Sequence, residues 1–118
     1  MYNFDKVTAL GENASTLKDM SLYNNASTIA GATRTGNGKR GGAYLFNGYG
    51  WYISVGNQPT NTLTEGTISA WIRRDKLLQG YQMIFTDDSS AWELCFNTNN
   101  LQFYTNNNAI QQIGNTNT

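Results

Sequence analysis

The sequence predicts an all-β fold, and three observations carry that prediction. Turn-forming residues recur about every eight to twelve positions, the spacing of a sandwich or barrel of short strands. They fall at Gly11, Asn24-Asn25, residues 36–42, residues 48–50, Gly56-Asn57, Glu65-Gly66, Gly80, and residues 87–90, 97–100 and 106–108. The runs between them are rich in Tyr, Phe, Trp, Ile, Val and Thr, whose β-branched and aromatic side chains suit a pleated, half-buried surface. Helical spacing of apolar residues appears only around Leu17, Met20 and Leu22, too short a stretch to hold a helix alone.

Taken in order, the predicted strands cover residues 44–47, 51–55, 67–73, 81–85, 92–96 and 101–105. At most one or two helical turns are expected, near residues 17–22 or 60–63. Asn37-Gly38 and Asn47-Gly48 are hairpin dipeptides, because both central positions of a type I′ turn need positive φ. In the third strand, Ile68, Ala70 and Ile72 share one side and Ser69, Trp71 and Arg73 the other, so both faces carry apolar bulk. That strand is therefore expected at the centre of a sheet, with Trp71 in the core. Pro59 sits between strands, where its missing N–H costs nothing. The tail from residue 106 to residue 118 is polar, with Ala109, Ile110 and Ile113 as anchors, and its end is expected to fray.

A chain of 118 residues reads as one domain, residues 1–118, able to bury about two-thirds of its unfolded surface. Apolar residues make up 39% and charged residues 14%, too aromatic a mixture for disorder. No run approaches the ~20 apolar residues of a membrane-spanning helix. Eight basic and eight acidic residues cancel, so no long-range field draws in a polyanion, which argues against nucleic acid as a partner. Arg34, Lys39 and Arg40 lie in a Gly-rich stretch without Walker spacing and read as a solvated turn. Cys95 is the one cysteine, and histidine is absent. An internal disulfide, a Cys-His pair and histidine-bound zinc are thereby excluded, and Cys95 reads as a small buried strand residue. The opening residues carry no signal-peptide pattern, which leaves two expectations. Either an export signal has been removed, or the protein reaches its site without one, as a virion component does after host lysis. The sequons at Asn13 and Asn25 are of the kind that arise by chance in a chain this rich in Asn, Ser and Thr.

Residues 41–86 hold an aromatic strand closing in Asn47-Gly48, then Tyr52 to Val55, a polar loop, and the strand Thr67-Ile68-Ser69-Ala70-Trp71-Ile72-Arg73-Arg74-Asp75. With Tyr2-Asn3-Phe4-Asp5 ahead, then Asp19, Ser21 and Asn24-Asn25, then Thr28-Ile29-Ala30-Gly31, and with residues 82–85 and 92–96 behind, this order resembles the bacterial laminin-G-like domains of the concanavalin A-like superfamily. The resemblance implies an antiparallel jelly-roll β-sandwich. It also implies a shortened one, since the family's Trp-His-His strand, Asp-Gly turn and closing strand have no counterpart here. Members mostly bind sugars or surfaces, and a minority cleave glycans. Calcium is the usual ion, and Asp19 and Asn25 match positions of its early loop; the alternative is that Asp19 only caps the turn at Ser21.

Glycan hydrolases of this fold resemble one another in placing two carboxylates close together on one strand, one to attack and one to donate a proton. Glu12, Glu65 and Glu93 are each isolated, so the chain reads as non-enzymatic. Sugar recognition stacks a pyranose face on an aromatic ring while polar groups take the hydroxyls. Tyr49 and Trp51, in a Gly-flanked turn where the family usually carries small or acidic residues, are the candidate ligand-binding positions, together with Trp92 at the start of a strand. The rival reading packs Tyr49 and Trp51 on a neighbouring strand or subunit. Two functions follow: an extracellular or virion-surface module that binds a glycan or protein surface, or a decoration, fibre or filament subunit. A missing closing segment would leave open sheet edges. Homo- or hetero-oligomerisation would cover them, or the tail around Ile110 and Ile113 would close the second sheet.

Overall fold

The computed structural model describes residues 1–56, 66–87 and 92–105, and the backbone of residues 109–115. These residues are all-β with antiparallel sheets, and the 3-10 turn Thr8–Leu10 is the one helical element among them. The anticipated helical turn at residues 60–63, the Pro59 loop and Glu65 lie outside the described residues, as do the side chains of Ile110 and Ile113. The chain divides into two compact units, Met1–Gln58 and Pro59–Thr118.

In the first unit β1 (Thr28–Ala30) pairs with β4 (Tyr52–Ser54), and β2 (Thr33–Thr35) pairs with β3 (Ala43–Leu45). Two-stranded ladders of three residues are marginal by themselves, and buried polar groups supply the remaining order. The buried Glu12 carboxylate accepts the Val7 N–H at 2.6 Å and the Lys18 N–H at 3.1 Å. The buried Ser27 hydroxyl accepts the Leu17 N–H at 2.8 Å and donates to the Leu17 carbonyl at 2.7 Å. Leu17 is itself buried, and these bonds to its backbone hold residues 17–20 in a non-helical path where a helical turn was anticipated.

Tyr2-Asn3-Phe4-Asp5 is not a strand, because Phe4 and Lys6 adopt φ of 62° and 55°, a left-handed conformation that ends any pleated run. Arg34 pins it instead, donating to the carbonyls of Phe4 at 3.0 Å and Asp5 at 2.9 Å, while Phe4 meets Tyr44 edge to face. Arg34 thus belongs to a strand, not to a solvated turn, and β2 is a strand that polar composition concealed. Neither Asn-Gly dipeptide forms a two-residue hairpin. Asn37-Gly38 lies within the longer β2–β3 loop, closed by Gly38 N–H to the Gly41 carbonyl at 3.0 Å. Asn47 accepts the Tyr49 N–H at 2.7 Å, with Gly48 at φ 79°. This Asx turn joins β3 to β4, strands of different sheets.

The second unit is a sequential antiparallel sheet of β5 (Tyr81–Thr86), β6 (Trp92–Asn97), β7 (Asn100–Thr105) and β8 (Ala109–Asn115). Register shifts occur between Met83 and Phe85 and between Leu101 and Gln102. β8 pairs with β7 from Ala109 to Asn115, so this part of the tail extends the sheet; the end expected to fray lies outside the described residues. Direct cross-strand partners share a face. Tyr81, Met83, Glu93, Cys95, Gln102 and Tyr104 therefore lie on one side, and Phe85, Trp92, Leu94, Phe96, Leu101 and Phe103 on the other.

The largest departure from expectation is at residues 67–73, which form no strand. Residues 66–80 instead touch the apolar side of the sheet at two points. At Gly66, an added Cβ would sit 3.4 Å from the Trp92 ring. At Arg74, the guanidinium stands 4.7 Å over the Phe96 ring, donates to Gln82 Oε1 at 2.6 Å, and also donates to the Thr98 carbonyl. Trp71 is 73% exposed, which corrects the core assignment. Alternation of side chains shows only that a segment is extended; here side chains, not a backbone ladder, attach the segment.

Candidate functional site

Tyr49 and Trp51 lie two residues apart on the turn between β3 and β4. Gly48 and Gly50, at φ 79° and 69°, permit the reversal, and Tyr49 is left 75% exposed. Trp51 is 38% exposed because its indole lies against Gly31. A Cβ at Gly31 would come within 2.6 Å of Trp51 Nε1, and Gly31 has φ 76°. The Trp51 ring is thus fixed on one side by bare backbone and open on the other. Trp92, in the second unit, is half-buried, with its ring 5.6 Å from Phe103 in an edge-to-face arrangement and Gly66 beside it. Two of the three candidate aromatics therefore share one turn, while Trp92 belongs to a separate packing cluster.

Asp19 is buried, and each carboxylate oxygen accepts two donors. Oδ1 takes the Met1 ammonium at 2.7 Å and the Ser21 N–H at 2.9 Å. Oδ2 takes the Ser21 hydroxyl at 2.7 Å and the Asn25 N–H at 3.1 Å. The ammonium, then the Ser21 and Asn25 bonds, hold this carboxyl well below the usual carboxylate range against the opposing effect of burial. A carboxylate offers about four lone-pair sites, so a calcium ion would have to displace donors already in place. Asn25 meets Asp19 through its N–H, and its carbonyl accepts from the Tyr2 hydroxyl at 3.4 Å. Among the described residues no three His, Cys, Asp or Glu side chains gather as metal ligands. The arrangement around Asp19 is that of a capped turn and does not fit a calcium cage as it stands.

Sequence reasoning missed a second constellation, on the side of the β5–β7 strands opposite Arg74. Tyr81, Met83, Glu93 and Tyr104 line an open cleft of about 380 Å³. Tyr81 is 62% exposed, and its ring meets that of Tyr104 edge to face at 6.3 Å. The Tyr104 hydroxyl donates to Oε1 of the buried Gln102 at 2.7 Å and lies 3.4 Å from the Tyr81 hydroxyl. The bond with Tyr81, then burial, push the Tyr104 phenol up to about 12, so it stays a neutral O–H at physiological pH. Cys95 is fully buried at the base of this face, and burial pushes its thiol up, which makes it a packing residue. The alternations Tyr81/Met83, Glu93/Cys95 and Gln102/Tyr104 are visible in the sequence, but only the register places them side by side.

Among the described residues no helix is long and apolar enough to cross a membrane. Comparison of the chain with protein-family models, with curated proteins and with solved structures finds no match in any of the three.

Proposed function

We propose that this protein is a non-catalytic binding module, displayed outside the cell or on a virion, that attaches to glycans or cell surfaces. In this reading the chain folds as a concanavalin A-like jelly-roll sandwich, with which its antiparallel all-β character is compatible. The observation that carries the proposal is the turn Asn47 to Trp51, which presents Tyr49 at 75% exposure beside an indole fixed against Gly31. Tyr49 supplies an exposed ring and Trp51 a seated one, the kind of aromatic surface on which a pyranose face can stack. Glu12, Glu65 and Glu93 are isolated from one another in the sequence, which supports binding without turnover. A glycan array tests the reading, with Tyr49→Ala and Trp51→Ala beside the wild type. Selective binding that falls in both variants is expected. Equal signals from all three proteins would remove these residues from the site, and release of reducing sugar would overturn the non-catalytic assignment.

A second reading is favoured by the exposure of Leu22, Tyr23, Phe46 and Leu77. Such apolar surface suits a structural subunit, a decoration, fibre or filament protein whose aromatics meet neighbouring copies. Solvent accessibility of Tyr49 and Trp51 in the assembled state separates the two readings.

A further inference from the structure

We propose that the open face of the β5–β7 strands, at Tyr81, Met83, Glu93 and Tyr104, is a binding subsite for a neutral pyranose that offers a vicinal pair of hydroxyls. The assignment rests on the glycan-binding reading and places a site in the second unit. The cleft, about 380 Å³, is open and lined by these four side chains, so a single sugar ring would lie on it and not be enclosed. Its walls divide by chemistry. Tyr81 and Met83, both largely exposed, supply an aromatic face and a polarisable edge against which the C–H side of a sugar ring can lie.

Beside them stand oxygen acceptors. Glu93 and Tyr104 are direct cross-strand partners, so the two side chains project from the same face as neighbours. Among the described residues no cation pairs with Glu93. The nearby guanidinium of Arg74 is on the opposite face, over Phe96. An ionised carboxylate accepts through two oxygens and cannot donate, which suits two adjacent hydroxyl donors. The Tyr104 hydroxyl gives its proton to Gln102 Oε1 and meets the Tyr81 hydroxyl at 3.4 Å, which leaves one lone pair as an acceptor and orients the ring through a buried anchor. The unpaired negative charge also sets specificity. Uronate or sialate groups would place like charges together, so acidic glycans are disfavoured.

The test uses the full chain and neutral gluco-, galacto- and manno-oligosaccharides, with uronate-containing oligosaccharides of matched length, measured by calorimetric titration. Glu93→Gln, Tyr104→Phe and Tyr81→Ala are compared with the wild type and with a Tyr49→Ala/Trp51→Ala double variant; thermal melts show which are folded. The first two substitutions are nearly isosteric, so the proposal stays testable if Tyr81→Ala unfolds. Expected is a neutral oligosaccharide whose affinity falls about tenfold or more in Glu93→Gln, the loss of a charge-assisted hydrogen bond, and severalfold in Tyr104→Phe. Uronate binding should be weak in wild type and rise in Glu93→Gln. Neutral binding that is unchanged in Glu93→Gln and Tyr104→Phe but lost in the double variant would overturn this subsite while leaving the module a glycan binder at its turn. No binding of any oligosaccharide by the wild type would overturn both.

Discussion

At the scale of single residues, buried polar side chains carry as much of the first unit as apolar ones. Asp19 is the clearest case, since its four donors come from Met1, Ser21 and Asn25. Its folded-state pKa is depressed, so the stabilisation is fully present above the unfolded value near 4 and is lost as pH falls through and below that value. Thermal melts of wild type and Asp19→Asn should therefore differ most at neutral pH and converge in acid. The difference should begin to shrink only below the unfolded value and vanish as pH falls through the depressed folded value; one as large in strong acid as at neutral pH would contradict the linkage. The same melts in EDTA should not move, because protein donors fill the positions calcium would need; a fall would show a bound ion. Gly31 is the second instructive residue. Gly31→Ala combines a left-handed backbone with a Cβ inside the Trp51 ring. A loss of about 2–4 kcal/mol, with a red-shifted tryptophan emission as the indole leaves its seat, is expected in denaturant titrations.

Among the elements, the segment at residues 66–80 shows why an extended pattern does not guarantee a strand. Its alternation is as regular as that of β5 or β6, yet it is tied to the sheet by Arg74 and not by a ladder. Arg74→Ala removes a ring contact and two hydrogen bonds together and should cost about 1–3 kcal/mol in equilibrium unfolding. Arg74→Lys should recover little of it, because an ammonium lacks the planar fork that reaches Gln82 and Thr98 at once. Full recovery by Lys would show that charge alone attaches the segment. By contrast, β5, β6 and β7 fall within one residue of their expected bounds. Strand-forming side chains and the polar turn at residues 97–100 act locally, and the hairpin closes through Thr98 and Asn99. β2 was hidden because Thr-Arg-Thr has no apolar alternation; its order comes from Arg34 reaching Phe4 and Asp5, about thirty positions earlier in the chain.

For the molecule as a whole, the small buried core bears on assembly. Among the described residues the buried apolar side chains are Leu17, Ala32 and Cys95, while Leu22, Tyr23, Trp71 and Leu77 are exposed. Sedimentation at micromolar concentration is expected to show a homo-oligomer, with unfolding midpoints that rise with protein concentration. A monomer that unfolds cooperatively and independently of concentration would contradict this. The all-β class, the hairpins of the second unit and the burial of Cys95 were legible in the sequence. Each follows from local propensity, period-two alternation or glycine geometry, which act over a few residues. Tertiary structure alone decided that Trp71 is exposed, that Asp19 is held by four donors, and that Tyr81, Glu93 and Tyr104 share a cleft. These outcomes depend on register and on contacts between distant segments, and a one-dimensional pattern carries neither.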